Sequence, residues 1–249
     1  MDKIQGNYPY FEEVNPGIIQ EVVSGLKILD VGCGYGCLGE AMTKKGNIVF
    51  GIDIAPEAVE KARKRIHFAC EADATKPGSL PVELREEKFD VVVLSDIIEH
   101  VYDPMALLIN VKTFLKEDGE LLLSVPNVAS WATRLNLLFG RWEYTISGVL
   151  DRGHIRFFTL NSIKRLLKTA QFEIIDISVT PHFIRAFAGP LRNWLFPDSM
   201  DGAPSDPTAL MKSKYYKFYF AYIYRAEALI ASFWKRMFAF QFIIRAKAC

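Results

Sequence analysis

The sequence predicts an α/β fold: a doubly wound, mostly parallel sheet of seven strands with helices on both faces. Three observations predict it. Short apolar, β-like runs alternate with helix-period segments from residue 27 onwards, and such alternation implies crossover units in a parallel sheet. A glycine cluster, Asp30-Val-Gly32-Cys-Gly34-Tyr-Gly36, separates the first run from the first helix after it. The chain has 249 residues, half of them hydrophobic, enough to bury a sizeable core as one domain, 1–249, with elaborations.

Taken in order, residues 15–23 read as a short helix with Asn15 as its N-cap, and the apolar run 27–31 as the first strand. Helix 38–45, strand 48–52, helix 57–65 and strand 67–70 follow; then come strand 89–94, helix 105–115 and strand 120–125. Past Thr159 the pattern gives helix 160–170, strand 172–179 and a last strand-like run at 238–245. Between the last two lies a helical, aromatic-rich insertion, 181–236, in which the turn formers of 197–207 (PDSMDGAPSDP) mark a loop. In a sheet of this kind ligands bind at the carboxyl ends of the strands.

Composition limits function before any motif does. Thirty basic residues against twenty-nine acidic ones leave a formal charge of +1, so no global field recruits nucleic acid. Four cysteines (Cys33, Cys37, Cys70 and Cys249) without metal-site pairing, and an N-terminus without an apolar signal core, point to free thiols in a reducing cytoplasm. Charges interrupt every apolar stretch before the roughly 18 residues that a membrane-spanning helix needs.

The glycine cluster ends a strand and opens a helix, so it allows a tight turn on which backbone N–H groups approach a ligand. Gly34, Gly36 and Gly39 also fit the dinucleotide pattern, so the glycines alone leave a nicotinamide cofactor open. Asp30 bears on the choice. A carboxylate just before the first glycine would repel a pyrophosphate and suit the ammonium of a bound methionine, which favours S-adenosylmethionine. Asp53 closes the next strand, where a carboxylate can accept both hydroxyls of an adenosine ribose with either cofactor.

The runs LDVGCGYG (29–36), GIDI (51–54), EADAT (71–75), FDVVVLSDIIEHVYDP (89–104) and LLLSVPN (121–127) carry a family resemblance. Over about residues 10–180 the chain resembles the class I S-adenosylmethionine-dependent methyltransferases, especially MetW-like and ubiquinone-biosynthesis O-methyltransferases. The resemblance implies a Rossmann-like sheet with an antiparallel last strand. It implies that Gly32, Gly34 and Gly36 hold the methionine part, Asp53 the ribose, Ile54 and Asp73 the adenine, with Ala74 and Ser95 beside the donor.

A sulfonium is already a strong methyl donor, so the protein chiefly desolvates the site and aligns the acceptor; an alcohol acceptor also needs a base. Asp96, Glu99 and His100 follow the fourth strand at helical spacing, which would put them on one face. Relatives use a similar acid-x-x-Glu-His pattern to hold a divalent metal, and His154 could supply a fourth ligand. Glu99, His100 and His154 are thus the candidate catalytic residues, and Asp96 joins them in the candidate metal set. Segment 126–159 resembles the acceptor-side insertion of the family. Its Trp131, Arg134, Arg141, Trp142, Tyr144, Asp151, Arg152 and Arg156 suit a sugar or another polar acceptor.

Segment 215–242 holds 12 of the 32 aromatic residues. It is expected to pack on its own domain or in a homodimer, with peripheral membrane contact as the alternative. The leading function is methyl transfer to a hydroxyl of a small molecule or sugar precursor. A nicotinamide-dependent oxidoreductase and a non-catalytic cofactor-binding protein are the competing readings.

Overall fold

The computed structural model describes residues 14–76, 80–145, 147–181 and 224–249. The loop expected at 197–207, and most of the insertion at 181–236, lie outside the described residues.

The chain starts with α1 (Pro16–Glu21), whose N-cap is Asn15: the Asn15 Oδ1 accepts from the N–H groups of Gly17 and Ile18 at 3.0 and 3.4 Å. β1 (Lys27–Val31), α2 (Cys37–Lys44), β2 (Ile48–Asp53), α3 (Pro56–Ala62) and β3 (Phe68–Glu71) build the first half of the sheet. A short α4 (Val82–Arg85) leads into β4 (Phe89–Ser95), followed by a single 3₁₀ turn at Ile98–His100, α5 (Pro104–Lys112) and β5 (Leu115–Pro126). Then come α6 (Trp131–Leu138), α7 (Leu160–Thr169), β6 (Phe172–Pro181), α8 (Tyr224–Phe233), α9 (Lys235–Phe238) and β7 (Ala239–Ala248).

The seven strands form one sheet in the order β3-β2-β1-β4-β5-β7-β6. β1 to β5 pair in parallel, and the last strands are antiparallel. Both the expected class and the antiparallel close of the sheet are therefore present. Alternation along β4 shows why the runs are apolar throughout: Val91 and Val93 join a cluster with Ile18, Met42 and Ile66 on one face, while Val92 and Leu94, equally buried, face the other way. The winding reverses between β1 and β4, and that reversal opens a crevice beyond their carboxyl ends.

Expected and observed elements differ most at α5. The expected helix 105–115 ends at Lys112, because Phe114 and Leu115 are drawn against the start of β4: the Phe89 N–H donates to the Phe114 carbonyl at 2.8 Å, and Leu115 pairs with Phe89. Residues 116–119 then bulge out before Glu120 meets Val91. The strand expected at 238–245 is present, and the chain turns from helix to strand at Ala239. Among the described residues of the aromatic segment Ala231, Ala239 and Phe242 are buried, as packing requires, whereas Leu229 and Phe233 on α8 are 74% and 95% exposed.

The sequence reads as one domain, and contacts divide the chain into two compact units. One comprises Met1–Val128, Glu143–Ser178 and Phe242–Cys249; the other comprises Ala129–Trp142 and Val179–Gln241. No described helix is long and apolar enough to cross a membrane.

Phe242 has no exposed surface, so Phe242→Ala should cost about 3 to 5 kcal/mol through lost transfer energy and a cavity. Urea denaturation measures this, and a loss below about 1 kcal/mol would show that β7 does not contribute to the core.

Candidate active site

The turn after β1 is fastened to the end of β2. The N–H groups of Gly32 and Cys33 both donate to the Ile52 carbonyl, at 2.7 and 3.1 Å. Gly34 N–H donates to Asp53 Oδ2 at 2.8 Å, and the other Asp53 oxygen accepts from Ala55 N–H at 3.0 Å. Gly32 has a φ of +71°, where a β-carbon is disfavoured, and a Cβ there would lie 2.1 Å from Ile97 Cδ1. α2 begins at Gly36 with no side-chain cap, so its first N–H groups can meet a ligand.

Around this turn stand the other residues expected at a donor. Asp30 is 1% exposed and its Oδ2 has no hydrogen-bond partner. Burial, followed by the charge of Asp53, pushes its carboxyl up to about 7. Ile54 is half exposed beside Asp53, an apolar surface of the kind an adenine face covers. Asp73 Oδ1 accepts from the Thr75 N–H and hydroxyl, and Oδ2 pairs with Lys76 at 2.8 Å. Burial opposes ionisation of Asp73, but these contacts outweigh it and lower its pKa. The Ala74 carbonyl accepts from Asn110 Nδ2 at 3.0 Å, and Ser95 Oγ lies 3.5 Å from Ser124 Oγ.

At the end of β4 a second group forms. Candidate metal-ligating atoms of Glu99, His100 and His154 lie within 4.8 Å of one another. Segment 153–156 is tied to the 3₁₀ turn through its backbone, since Ile155 and Arg156 N–H groups both donate to the Glu99 carbonyl at 3.0 Å. Each imidazole Nδ1 faces a carbonyl, His100 that of Gly153 at 3.0 Å and His154 that of Val149 at 3.1 Å. A carbonyl only accepts, so Nδ1 carries the proton and Nε2 is the basic nitrogen of each ring. The two rings meet edge to face with centroids 4.8 Å apart.

Glu99 is 1% exposed and neither carboxylate oxygen has a hydrogen-bond partner. Burial first, then Asp96 and Asp151, raises its pKa well above the ordinary carboxylate range. His154 Nε2 stands 3.9 Å from Glu99 Oε1, too far for a hydrogen bond. Burial, then His154, lowers the pKa of His100.

A family profile described as "Methyltransferase domain" matches residues 10–177. The chain belongs to this family of S-adenosylmethionine-dependent methyltransferases. Among relatives of this methyltransferase, the ubiquinone biosynthesis O-methyltransferase of Idiomarina loihiensis is 32% identical over 191 residues, covering 70% of this chain and 74% of the relative. Matches to the enzymes of the same name from Actinobacillus pleuropneumoniae and Histophilus somni span less, 57% and 59% of their lengths. A Thermotoga maritima structure described as a possible histamine N-methyltransferase superposes with a TM-score of 0.56 at 17% identity, covering 93% of this chain and 86% of that one. The [4+2]-cyclase SpnF gives 0.56 at 20% identity, covering 93% and 79%. These two likenesses concern the fold alone.

Within this methyltransferase the predicted residues fall into two groups and one exception. Asp30, Gly32, Gly34, Gly36, Asp53 and Ile54 gather at the ends of β1 and β2, with Asp73, Ala74 and Ser95 following β3 and closing β4; Glu99, His100 and His154 converge beyond β4. Asp96 does not join the latter group. Helical spacing fails there because Asp96 has a φ of +55° and only Ile98–His100 form a helical turn; Asn15 Nδ2 donates to its carboxylate at 3.1 Å. The expected insertion 126–159 is divided, with 129–142 in one unit and 143–159 in the other. Sequence reasoning missed Ile97, Asn110 and Ser124, although Ile97 and Ser124 lie within the runs 89–104 and 121–127; what each touches depends on packing that no local pattern encodes.

The buried Asp30 sets a pH test. Its folded pKa of about 7 lies above the ordinary 3.8, so the unfolded chain binds fewer protons between these values and stability falls as pH rises through that window, by up to about 4 kcal/mol. Glu99 pulls in the same direction. Denaturant unfolding of the ligand-free protein at pH 5 and pH 8 should show the decline, and Asp30→Asn should flatten it. An unchanged slope in the variant would place the titration elsewhere.

Proposed function

We propose that this chain transfers a methyl group from S-adenosylmethionine to a hydroxyl oxygen of a small molecule or sugar precursor. The observation that carries the reading is the convergence of His100, His154 and Glu99 beyond β4, across the switch point from the glycine turn. Oxygen as the accepting atom also agrees with the name of the O-methyltransferase relatives.

At the donor end, the glycine turn and α2 N-terminus receive the methionine part, Asp53 the ribose, and Ile54 with Asp73 the adenine. Asp30 lies beneath this turn as a buried, poorly ionised acid, and a nearby cation would favour its charged form. At the acceptor end, burial and His154 lower the pKa of His100, and Nε2 is the basic nitrogen of its ring. It takes the hydroxyl proton as the oxygen attacks the methyl carbon, while the carbon–sulfur bond breaks with its electron pair passing to sulfur. The products are a methyl ether and S-adenosylhomocysteine. His154, held by Val149, supports the ring of His100 edge to face.

The same three side chains fit a divalent cation. Glu99 offers two buried oxygens without hydrogen-bond partners, and both histidines have Nδ1 fixed by a carbonyl, the arrangement that orients metal-binding imidazoles. A bound cation would lower the pKa of a coordinated hydroxyl. Glu99, His100 and His154 would hold it, with Asp96 outside the set.

Incubation with labelled donor and fractionated cell extracts identifies the acceptor and tests the reaction. Asp53→Ala should weaken binding of S-adenosylmethionine and S-adenosylhomocysteine by roughly 1.5 to 3 kcal/mol, by calorimetry. Tight NAD binding, with none for the methyl donor, would falsify the central reading.

His100→Ala and His154→Ala should bind the donor like the parent and turn over roughly 10²- to 10⁴-fold more slowly. Added chelator should reproduce that defect if a metal takes part. Full turnover in both variants would make these histidines structural and leave catalysis to positioning.

A further inference from the structure

Beside the Glu99–His100–His154 group lies a cleft of about 460 Å³, lined by Tyr102, Asp103, Arg156, Phe157 and Leu166 among others. It adjoins the group through Phe157, whose ring centroid is 6.3 Å from that of His154. Among the described residues its charged groups are not paired off. Arg156 Nη2 donates to the Tyr102 carbonyl at 2.7 Å and its guanidinium lies 5.4 Å from the Tyr102 ring centroid, yet Arg156 forms no ion pair among the described residues. An arginine that served only to fix this segment would be expected on a carboxylate.

Asp103 faces the same cleft. Its Oδ1 caps α5 through the N–H groups of Met105 and Ala106, at 3.1 and 3.0 Å. Its Oδ2 has no hydrogen-bond partner among the described residues. Tyr102 is 82% exposed, so most of its ring surface is open. The cleft thus presents a forked cation, a hydrogen-bond acceptor and an aromatic face.

We propose that this cleft binds an anionic sugar ring, a sugar acid or sugar phosphate, as the recognition end of the acceptor, with Arg156 on the anionic group, Asp103 on a ring hydroxyl and Tyr102 against the C–H face of the ring. A guanidinium fork matches a carboxylate or phosphate in shape and charge. Asp103 would repel a bare anion but accept from a hydroxyl next to one. The tyrosine face accounts for a ring rather than an open chain. This assignment rests on the reading of a hydroxyl acceptor and narrows it.

The test titrates the protein saturated with S-adenosylhomocysteine, by NMR, with glucuronate, glucose 6-phosphate, glucose and inorganic phosphate. The charged sugars should bind with dissociation constants on the order of 1 mM, and the tighter of the two tells carboxylate from phosphate. Glucose and inorganic phosphate should each bind at least roughly tenfold more weakly. Arg156→Gln and Tyr102→Ala should each lose at least roughly tenfold toward the charged sugars, with unchanged affinity for S-adenosylhomocysteine as the control for folding. Failure of both charged sugars to bind, equal binding of inorganic phosphate, or indifference to Arg156→Gln would overturn the assignment. Sugar binding that depends on Arg156, without methyl transfer to any hydroxyl, would uphold the cleft and sink the proposed reaction.

Discussion

Where β1 and β4 part company, the turn after β1 and the turn after β4 approach within side-chain distance, and the approach is possible only because position 32 is glycine. A Cβ there would sit 2.1 Å from Ile97 Cδ1 in a backbone conformation that L side chains rarely adopt. Everything in the site depends on that closeness. It packs Ile97 against the glycine turn and so brings the 3₁₀ turn at Ile98–His100, with Glu99 and His100, close to that turn. The same β1 turn is held from the other side by the Ile52 carbonyl and Asp53. A chemically simple constraint, the absence of one carbon, therefore links two loops that are more than sixty residues apart.

The electrostatics of the crevice follow from how little water reaches it. Asp30, Asp53 and Glu99 are all nearly inaccessible, and burial raises the pKa of Asp30 and of Glu99 because it penalises their charged forms. Such an arrangement is costly in a resting protein and suited to a positively charged ligand. Among the described residues neither oxygen of Glu99 has a hydrogen-bond partner, whereas both oxygens of Asp53 receive a backbone N–H. The first is placed to interact with something that arrives. The second organises what is already there.

Much of this was legible along the chain. The strand–glycine–helix passage at 27–44 and the acid closing β2 stand in their expected places, because they depend on short-range geometry that a local pattern encodes. The convergence of His154 with Glu99 and His100 was expected from the insertion, although no spacing rule predicts it. Where local pattern misled, tertiary contact had prevailed. Helix 105–115 stopped short because Phe114 and Leu115 gain more by pairing with the start of β4 at Phe89 than by another helical turn. Asp96 left the ligand set because its positive φ breaks the periodicity that would have aligned it with Glu99.

The sequence by itself determined the sheet class, the glycine turn after β1 and the titratable residue types that follow β4, since each is written in periodicity, glycine placement or residue type within a short window. The tertiary structure alone decided which groups meet. It brought Asn15 to Asp96 and Ser124, Ile97 to Gly32 and Arg156 to Tyr102, and among the described residues it gave Arg156 no ion pair. The physical reason is the range of the interactions. Backbone propensities act over a few residues, whereas burial, like-charge proximity and the sharing of one cleft belong to residues that become neighbours only when the sheet is assembled.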